Sequence, residues 1–242
     1  MEPKKQLLSE LIAELLGSMF LVMAAISPII LFRSVLHSSI EIAVIADALA
    51  VGFVLCALIE IFGPISGAHF NPAVTFAMLL SKKIELAKAG LFVVFQIIGG
   101  LLGTLASHLM FFNQVRKIVA VSVIERSNYV FCAEVFGTFI LVLAIFLLVK
   151  AGSTKLPIII GLLVGGQLMA TSSTMFANPQ VTIARMFTYS DAGIRPIDGL
   201  VFIAMQLIGA FLAVMVNKLF SRQAQTIDGK LSEKRQAAAM KE

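Results

Sequence analysis

Charged residues are scarce in this chain of 242 residues, because Asp, Glu, Lys and Arg make up only 14% of it, whereas an ordinary soluble domain contains about a quarter. It has only two cysteines, Cys56 and Cys132. Both lie in apolar runs, so we interpret them as small core residues rather than as a disulfide. The net charge is +5, but the basic residues are spread between apolar segments. We therefore predict no nucleic-acid partner.

Apolar sequence is abundant instead, with 59% hydrophobic residues and a mean hydropathy of +0.96. Six segments have roughly the 20 residues that a membrane-spanning helix needs. They lie near 8–32, 41–62, 86–112, 130–150, 157–176 and 198–220. Two shorter segments, 71–80 and 178–187, are about half as long as a bilayer is thick. The pattern predicts an all-α membrane protein with six transmembrane helices and two half-helices.

The chain divides into one membrane domain, residues 1–220, and a polar tail, residues 221–242. The tail is too polar and charged to bury, so we expect a flexible or loosely helical cytoplasmic end. At the other terminus no small-residue cleavage site follows the first apolar run. A signal anchor is therefore favoured over a removed signal peptide.

Each short segment begins with the same dipeptide, in Asn71-Pro72-Ala73 and in Asn178-Pro179-Gln180. Asn is a preferred helix N-cap, and Pro is tolerated at the first helical position. A helix that begins inside a membrane points unpaired N–H groups and about half a positive charge into the bilayer. Such backbone is tolerated only where it is buried in protein or lines a wet cavity. Two such ends predict a pore, although both Asn residues could serve as N-caps alone.

The sequence also repeats itself, which explains why the dipeptide occurs twice. The segments 13–20 and 133–140 are similar, and so are 95–100 and 205–210. Each half, about 8–112 and about 130–220, holds three spans and one half-helix. Because three is odd, the second half enters the membrane from the opposite side. The half-helices of such an inverted repeat are expected to meet near the midplane.

The distribution of Lys and Arg predicts the orientation. With both termini cytoplasmic, 13 basic residues lie inside and 6 outside, as the positive-inside rule requires. Without the four basic residues at 230, 234, 235 and 241 the ratio is still 9 to 6. We therefore expect an integral protein of the plasma (cell inner) membrane with both termini in the cytoplasm.

The segment 66–75, Ser-Gly-Ala-His-Phe-Asn-Pro-Ala-Val-Thr, resembles the first pore motif of the aquaporin (major intrinsic protein) family. The second Asn-Pro and the pairs Glu14/Glu134 and Gln96/Gln206 fall where that family has them. The resemblance implies that Asn71 and Asn178 donate hydrogen bonds to a passing solute, while the half-helix ends repel cations and protons. It also implies a homotetramer in the lipid bilayer with one pore per subunit, and no cofactor.

Two acidic residues within the spans, Glu14 and Glu134, must face protein or water rather than lipid. A proton-relay role would make the chain a coupled transporter. We favour a structural role, in which each carboxylate accepts hydrogen bonds from the irregular backbone before a half-helix, because symmetry-related copies suit a shared task. His69 either lines the inner pore mouth or braces its loop.

Aligned with the family by distance from the two Asn residues, the filter positions are Val51, Gly166, Met175 and Val181. Water-selective members usually have an aromatic residue, a His, a small residue and an Arg there. The present set implies a wide apolar ring and resembles that of the aquaglyceroporins. The Val-Thr-Ile run after the second Asn-Pro resembles a bacterial subgroup associated with arsenic resistance, whose members are thought to pass uncharged arsenous acid.

Two residues near the second motif, Gln180 and Arg185, each allow two interpretations. Gln180 stands where the family usually has Ala, so its amide must either narrow the pore or fold back against protein. Arg185 lies four residues after Val181 on one helix face. It could reach back towards the filter and partly replace the missing charge. We favour the alternative, in which it lies among the outer headgroups or pairs with an acid such as Asp191.

These observations predict a passive channel for small neutral solutes, such as glycerol-like polyols and undissociated metalloid acids including arsenous acid (arsenite), together with water. The sequence shows neither a metal cluster nor a catalytic constellation, so we expect no enzyme. The alternatives are a water-selective aquaporin or a proton-coupled secondary transporter that uses Glu14 and Glu134.

Overall fold

A computed structural model describes the backbone of residues 3–126 and 130–239 and the side chains of residues 5–126 and 130–221. These ranges form nine α-helices and one π-helical segment. They are α1 (Pro3–Ile29), the π-helix (Ile30–Val35), α2 (Ile40–Ser66), α3 (Pro72–Leu80), α4 (Leu86–Met110), α5 (Phe112–Val115), α6 (Val130–Lys150), α7 (Leu156–Ala170), α8 (Pro179–Arg185) and α9 (Pro196–Ala239). The prediction of six transmembrane helices and two half-helices, α3 and α8, is confirmed.

The six spans are unequal in length. Five are long and apolar enough to cross a membrane, namely 5–35, α2, α4, α6 and 196–221. The sixth, α7, has 15 residues and is about 22 Å long, so the predicted span 157–176 was too long. Its end is rich in hydroxyl side chains, and Ser173 Oγ accepts from the backbone N of Met175 at 3.1 Å. Such local bonds compete with helical ones, and the chain leaves the helix at Thr171.

The last helix is longer than the apolar segment that was predicted for it. The membrane-spanning part ends at Ser221, close to the predicted limit of 220. The backbone of α9 nevertheless stays helical to Ala239, whereas the sequence predicted a flexible or loosely helical tail from 221. The ends of the predicted domain and tail, residues 1–2 and 240–242, lie outside the described residues.

Helix packing follows the predicted repeat. α1 packs on α4 in the first half as α6 packs on α9 in the second, and α2 and α7 join the halves. Glycines permit these close approaches, because a Cβ at Gly99 or Gly103 would overlap backbone carbonyls of α1. Gly161 and Gly165 meet the α2 backbone in the same way. Small residues at helix contacts are typical of membrane bundles.

The outer surface of the bundle is apolar. Phe53, Leu86, Phe136 and Leu162 are each at least 65% exposed, on α2, α4, α6 and α7. A soluble monomer rarely exposes so much contiguous apolar surface. Exposed apolar residues on four spans fit a protein surrounded by lipid, with its polar residues directed inwards.

Candidate channel and filter

The two half-helices begin at Asn residues that hold both repeats together. Asn71 and Asn178 are N-caps with nearly identical backbone angles, φ −156° and −155°. Each side-chain oxygen accepts from the N–H two residues further on, at 2.8 and 3.1 Å. Asn71 Nδ2 donates to the carbonyl of Ala177, and Asn178 Nδ2 to the carbonyl of Phe70, both at 2.8 Å. Since an amide nitrogen carries two protons, each retains one for another acceptor.

Buried carboxylates hold the irregular segments that precede the caps. Glu14 Oε1 accepts from Ser66 Oγ at 2.7 Å and from the backbone N of His69 at 3.0 Å. Glu14 Oε2 accepts from the backbone N of Phe70 at 2.8 Å and from Gln96 Nε2 at 2.7 Å. One side chain therefore satisfies two consecutive backbone donors that no helix supplies with acceptors.

Glu134 repeats this arrangement in the second half. Its two oxygens accept from the backbone N of Phe176 and Ala177 at 2.9 and 2.8 Å, and Gln206 Nε2 donates at 2.7 Å. Both glutamates are fully buried. The sequence interpretation of Glu14 and Glu134 as structural acceptors predicts this bonding pattern.

The backbone before each cap adopts left-handed conformations at matching positions. Ala68 and Phe70 have φ of 51° and 46°, and Met175 and Ala177 have φ of 30° and 46°, three and one residues before each Asn. Such angles cost about 1–2 kcal/mol for a residue with a side chain. They turn successive N–H groups towards one carboxylate, so the carbonyls between them point away from it. Of these four residues, Ala68, Met175 and Ala177 line the central cavity, and Phe70 does not.

The cavity of about 60 Å³ runs between the two halves, and a single water needs about 10–15 Å³. Most lining residues are aliphatic, and the polar ones are His69, Asn71, Asn178 and Arg185. His69 also bonds Thr75 Oγ1 through Nδ1 at 3.0 Å and packs edge-on against Phe92. It therefore both lines the cavity and braces its loop, so the two alternatives are not exclusive.

Three of the four predicted filter residues, Val51, Met175 and Val181, line this cavity. Gly166 does not, and the prediction is wrong at this position. The α7 residues on the cavity are Ile160, Val164 and Leu168. Gly166 lies two residues from Val164 and two from Leu168, and a separation of two residues is about 200° around a helix. It is exposed in a groove between α2 and α7. Among the α7 residues on the cavity, Leu168 lies nearest the end of the helix that leads to Met175, and we therefore assign it to the ring.

Gln180 folds back against protein rather than into the cavity. It is fully buried, and Nε2 donates to the carbonyl of Phe70 at 3.2 Å. Its Oε1 lies against Gly100 of α4, where a Cβ would overlap it. The matching positions in the other repeat are Ala73 and Ala210. The long amide of Gln180 on α8 and the absence of a side chain at Gly100 on α4 are therefore complementary changes on facing helices.

Arg185 pairs with an acid, as the favoured sequence interpretation allowed, but the acid is Asp47 and not Asp191, and the side chain is buried rather than placed among the outer headgroups. Asp191 pairs with Arg33 at 2.9 Å instead. Arg185 is 2% exposed and lines the cavity. Its Nη2 donates to the carbonyl of Ala25 at 2.6 Å and to Asp47 Oδ2 at 3.1 Å. The guanidinium thus lies at one end of the cavity, which we call the arginine end.

A second guanidinium reaches the arginine end from the segment before α6. Arg126 Nε donates to the carbonyl of Gly193 at 2.9 Å. Phe176 lies close to both cations, with ring-centroid distances of 4.9 Å to Arg126 Cζ and 4.4 Å to Arg185 Cζ. Burial, followed by the charge of Arg185, lowers the pKa of Arg126 to about 10. Arg126 therefore remains protonated at neutral pH.

Sequence reasoning missed three residues of this site. Asp47 carried a signal, because an acidic residue within a span lies four residues before Val51 and hence on the same helix face. Leu168 could have been found by following the helical period of α7. Arg126 gave no signal, since it lies in an irregular segment whose path no periodicity predicts.

The comparisons with known proteins agree with this geometry. The model of the family described as "Major intrinsic protein" matches residues 2–177. "Aquaglyceroporin AqpS" of Rhizobium meliloti (strain 1021) is 32% identical over 216 residues, which is 89% of this chain and 91% of that protein. "Glycerol uptake facilitator protein-like 6" of Lactiplantibacillus plantarum is 36% identical over 95 residues, 39% of this chain and 40% of that protein. The aquaglyceroporin structure from Plasmodium falciparum shares the fold, with a TM-score of 0.73, 20% identity and coverage of 91% and 99% of the two chains.

Proposed function

The chain belongs to the major intrinsic protein family, and we propose that it is a passive channel for small neutral solutes such as glycerol-like polyols and undissociated metalloid acids, arsenous acid among them, as well as for water. The observation that carries the proposal is the cavity shared by both repeats. Asn71 and Asn178 both line it, and each amide has one proton left after its structural bond. A solute oxygen can accept those protons as it passes between the half-helix ends.

The solute class follows from the ring at the arginine end of the cavity. Val51, Leu168, Met175 and Val181 contribute only apolar side chains to it. Such a ring accepts the carbon face of a polyol and does not hold water by fixed hydrogen bonds. Two similar proteins, an aquaglyceroporin and a glycerol uptake facilitator-like protein, support the same class.

A water-selective channel is the second candidate, and one observation favours it. The α7 side chain at the ring is Leu168, which is much larger than the glycine expected there from the sequence. The proposal therefore requires the ring side chains to change rotamer as a large solute passes.

Cations are excluded by charges at two levels in this proposal. Each half-helix contributes about half a positive charge at its N-terminus. At the arginine end Arg185 is paired with Asp47, so Arg126 supplies the additional positive charge. Glu14 and Glu134 are structural acceptors in this account, so the proposed transport is passive and not coupled to protons.

The protein is an integral membrane protein, and we place it in the plasma (cell inner) membrane with both termini cytoplasmic. The arginine end then faces outwards. The proposed homotetramer has one pore in each subunit, with the exposed groove of Gly166 between α2 and α7 available for subunit contacts. Membrane-impermeant labelling of cysteines introduced at the termini tests the orientation, and light scattering of the purified protein tests the assembly.

Stopped-flow light scattering of proteoliposomes tests the transport function. Water, glycerol, urea and arsenous acid are compared at equal osmotic gradients, with empty liposomes as the control. The proposal expects glycerol and arsenous acid to enter far faster than in empty liposomes. Water flux without glycerol or arsenous acid flux would establish the water-selective alternative instead.

A further inference from the structure

Two side-chain amides share one backbone carbonyl at the start of the second half-helix. Asn178 Nδ2 donates to the carbonyl oxygen of Phe70 at 2.8 Å, and Gln180 Nε2 donates to the same oxygen at 3.2 Å. In the other repeat the carbonyl of Ala177 accepts from Asn71 Nδ2 and from no further donor in the described part of the chain. The Phe70 carbonyl therefore has a second donor where its counterpart has none.

The stability of the half-helix does not explain the Gln180 side chain. This side chain is fully buried, and its Oε1 makes no hydrogen bond within the described residues. An unpaired buried acceptor costs at least as much as one hydrogen bond contributes, so the bond from Nε2 does not offset it. Alanine, which stands at the matching position 73 of the first repeat, avoids this cost. Residues that break a local rule in this way are expected chiefly at functional sites.

Gln180 contacts the pore residue Asn178 through two sets of atoms. Its backbone N–H donates to Asn178 Oδ1 at 3.1 Å, and its side-chain amide occupies the acceptor of Asn178 Nδ2. Asn178 lines the cavity, whereas Gln180 does not. Any effect of Gln180 on a solute therefore passes through Asn178.

We propose that Gln180 is a positioning residue that favours larger neutral solutes, because it allows the Asn178 amide to move aside. When Asn178 Nδ2 turns from Phe70 towards a solute oxygen, Gln180 Nε2 keeps the Phe70 carbonyl paired. Asn178 Oδ1 stays on the Gln180 N–H, so the helix cap is kept. The same movement of Asn71 would leave the Ala177 carbonyl without its protein partner, at the cost of an unpaired acceptor. Asn71 is therefore the fixed amide of the pore, and Asn178 is the adaptable one.

This inference rests on the proposed channel function and adds a source of solute preference to it. A polyol is wider than a water molecule and displaces the two central amides further as it passes. Water passes between the amides while their resting hydrogen bonds stay intact. Gln180 therefore lowers the barrier for a polyol more than the barrier for water, and the ratio of glycerol to water permeability measures this difference.

Gln180→Met tests the proposal, because methionine keeps the approximate length and volume of the side chain and lacks its N–H donors. Glycerol and water permeabilities are measured by stopped-flow light scattering of proteoliposomes. In this variant a displaced Asn178 leaves the Phe70 carbonyl unpaired. We expect the ratio of glycerol to water permeability to fall about fivefold, which corresponds to one hydrogen bond of ordinary net strength. Water permeability should stay near that of the wild type.

A second variant removes the donor in a different way. Gly100→Ala/Gln180→Ala gives the second repeat the alanine pair that the first repeat has at positions 73 and 210. The added methyl group occupies part of the space that the amide leaves against Gly100. The permeability ratio should fall here as it does in Gln180→Met.

Ser107→Ala is the matched control. Ser107 is fully buried on α4, and its Oγ donates to the backbone carbonyl of Gly103 at 2.8 Å. It does not line the cavity. The variant therefore also loses a buried bond from a side chain to a carbonyl, and we expect it to keep the wild-type permeability ratio.

The outcomes separate this role of Gln180 from the proposed function. A wild type that passes no glycerol beyond empty liposomes refutes the channel proposal itself. If the wild type passes glycerol, a ratio within about twofold of wild type in the folded Gln180 variants, well below the effect of one lost hydrogen bond, refutes only the role of Gln180. A proportional loss of glycerol and water permeability also refutes it, because general narrowing of the pore lowers both. An equal fall of the ratio in Ser107→Ala refutes it as well, since the effect would then not be local.

Discussion

The contact between Gly100 and Gln180 gives the sharpest test of how the second half-helix is held. The substitution Gly100→Ala places a Cβ over Gln180 Oε1 and within 3.3 Å of the Gln180 carbonyl. Alanine gains up to about 1 kcal/mol of helix propensity over glycine, but overpacking costs about 1–3 kcal/mol. The clash should win, because the backbone of α8 is fixed by its Asn178 cap and cannot withdraw.

Without the Gln180 amide, Gly100→Ala should stabilise the protein instead of destabilising it. Gln180→Ala loses the bond to Phe70, worth about 0.5–1.5 kcal/mol, and removes an unpartnered buried oxygen that costs about 1–3 kcal/mol. We expect a change near zero after the lost packing is included. In that background Gly100→Ala meets no amide, so it should stabilise the protein, as Ala210 is tolerated beside Ala73. The coupling between the two sites should equal the overpacking cost, about 1–3 kcal/mol.

The assay is the heating midpoint of purified protein followed by circular dichroism, since the chain has no tryptophan. A change of 1 kcal/mol shifts the midpoint of a chain of this length by about 2–4 °C. Gly90→Ala is the matched control, because Gly90 is on the same helix and a Cβ there meets nothing within 4 Å. The reasoning fails if the effects of Gly100→Ala and Gln180→Ala simply add in the double variant.

Three further variants test the charges and the ring. Glu14→Gln should keep most transport and lower the free energy of unfolding by about 1–3 kcal/mol, because its amide cannot accept all the donors that the carboxylate accepts; lost transport in a folded variant, measured by swelling, would favour the proton relay. Val181→Arg should reduce glycerol and arsenous acid flux about tenfold or more, a barrier increase of about 1.4 kcal/mol, and spare water; unchanged glycerol flux would remove Val181 from the constriction. Arg185→Ala should raise sodium leak in planar bilayers, because Asp47 then lacks its counter-charge, and an unchanged leak would show that Arg185 does not guard the channel.

The parts of the fold that local chemistry determines were predictable. Runs of apolar residues located the spans, and the two Asn-Pro dipeptides located the starts of α3 and α8, since capping and proline preference act over a few residues. The predicted end of α7 was wrong because hydropathy does not distinguish a helix from an apolar irregular segment. Residues 171–177 are partly apolar, but hydroxyl groups and Glu134 give their backbone other partners.

The filter was less predictable, because its residues meet across long sequence separations. Counting back from Asn178 to α7 crosses the irregular segment, whose path follows no helical period, and the count therefore selected Gly166 instead of Leu168. Arg185 bonds an acid 138 residues away, whereas the sequence interpretation looked for a partner nearby. Pairing of this kind depends on which helix faces pack together, and that is settled by the fold as a whole.

The central claim, passive passage of neutral solutes, is tested most directly by glycerol flux under an imposed pH gradient. Proteoliposomes are given a fixed glycerol gradient, and the pH gradient across the membrane is set to zero, inward or outward. Our account predicts the same glycerol flux in all three conditions and equal permeability in both directions. Glycerol accumulation against its own gradient, driven by the pH gradient, would contradict the account and identify a proton-coupled transporter.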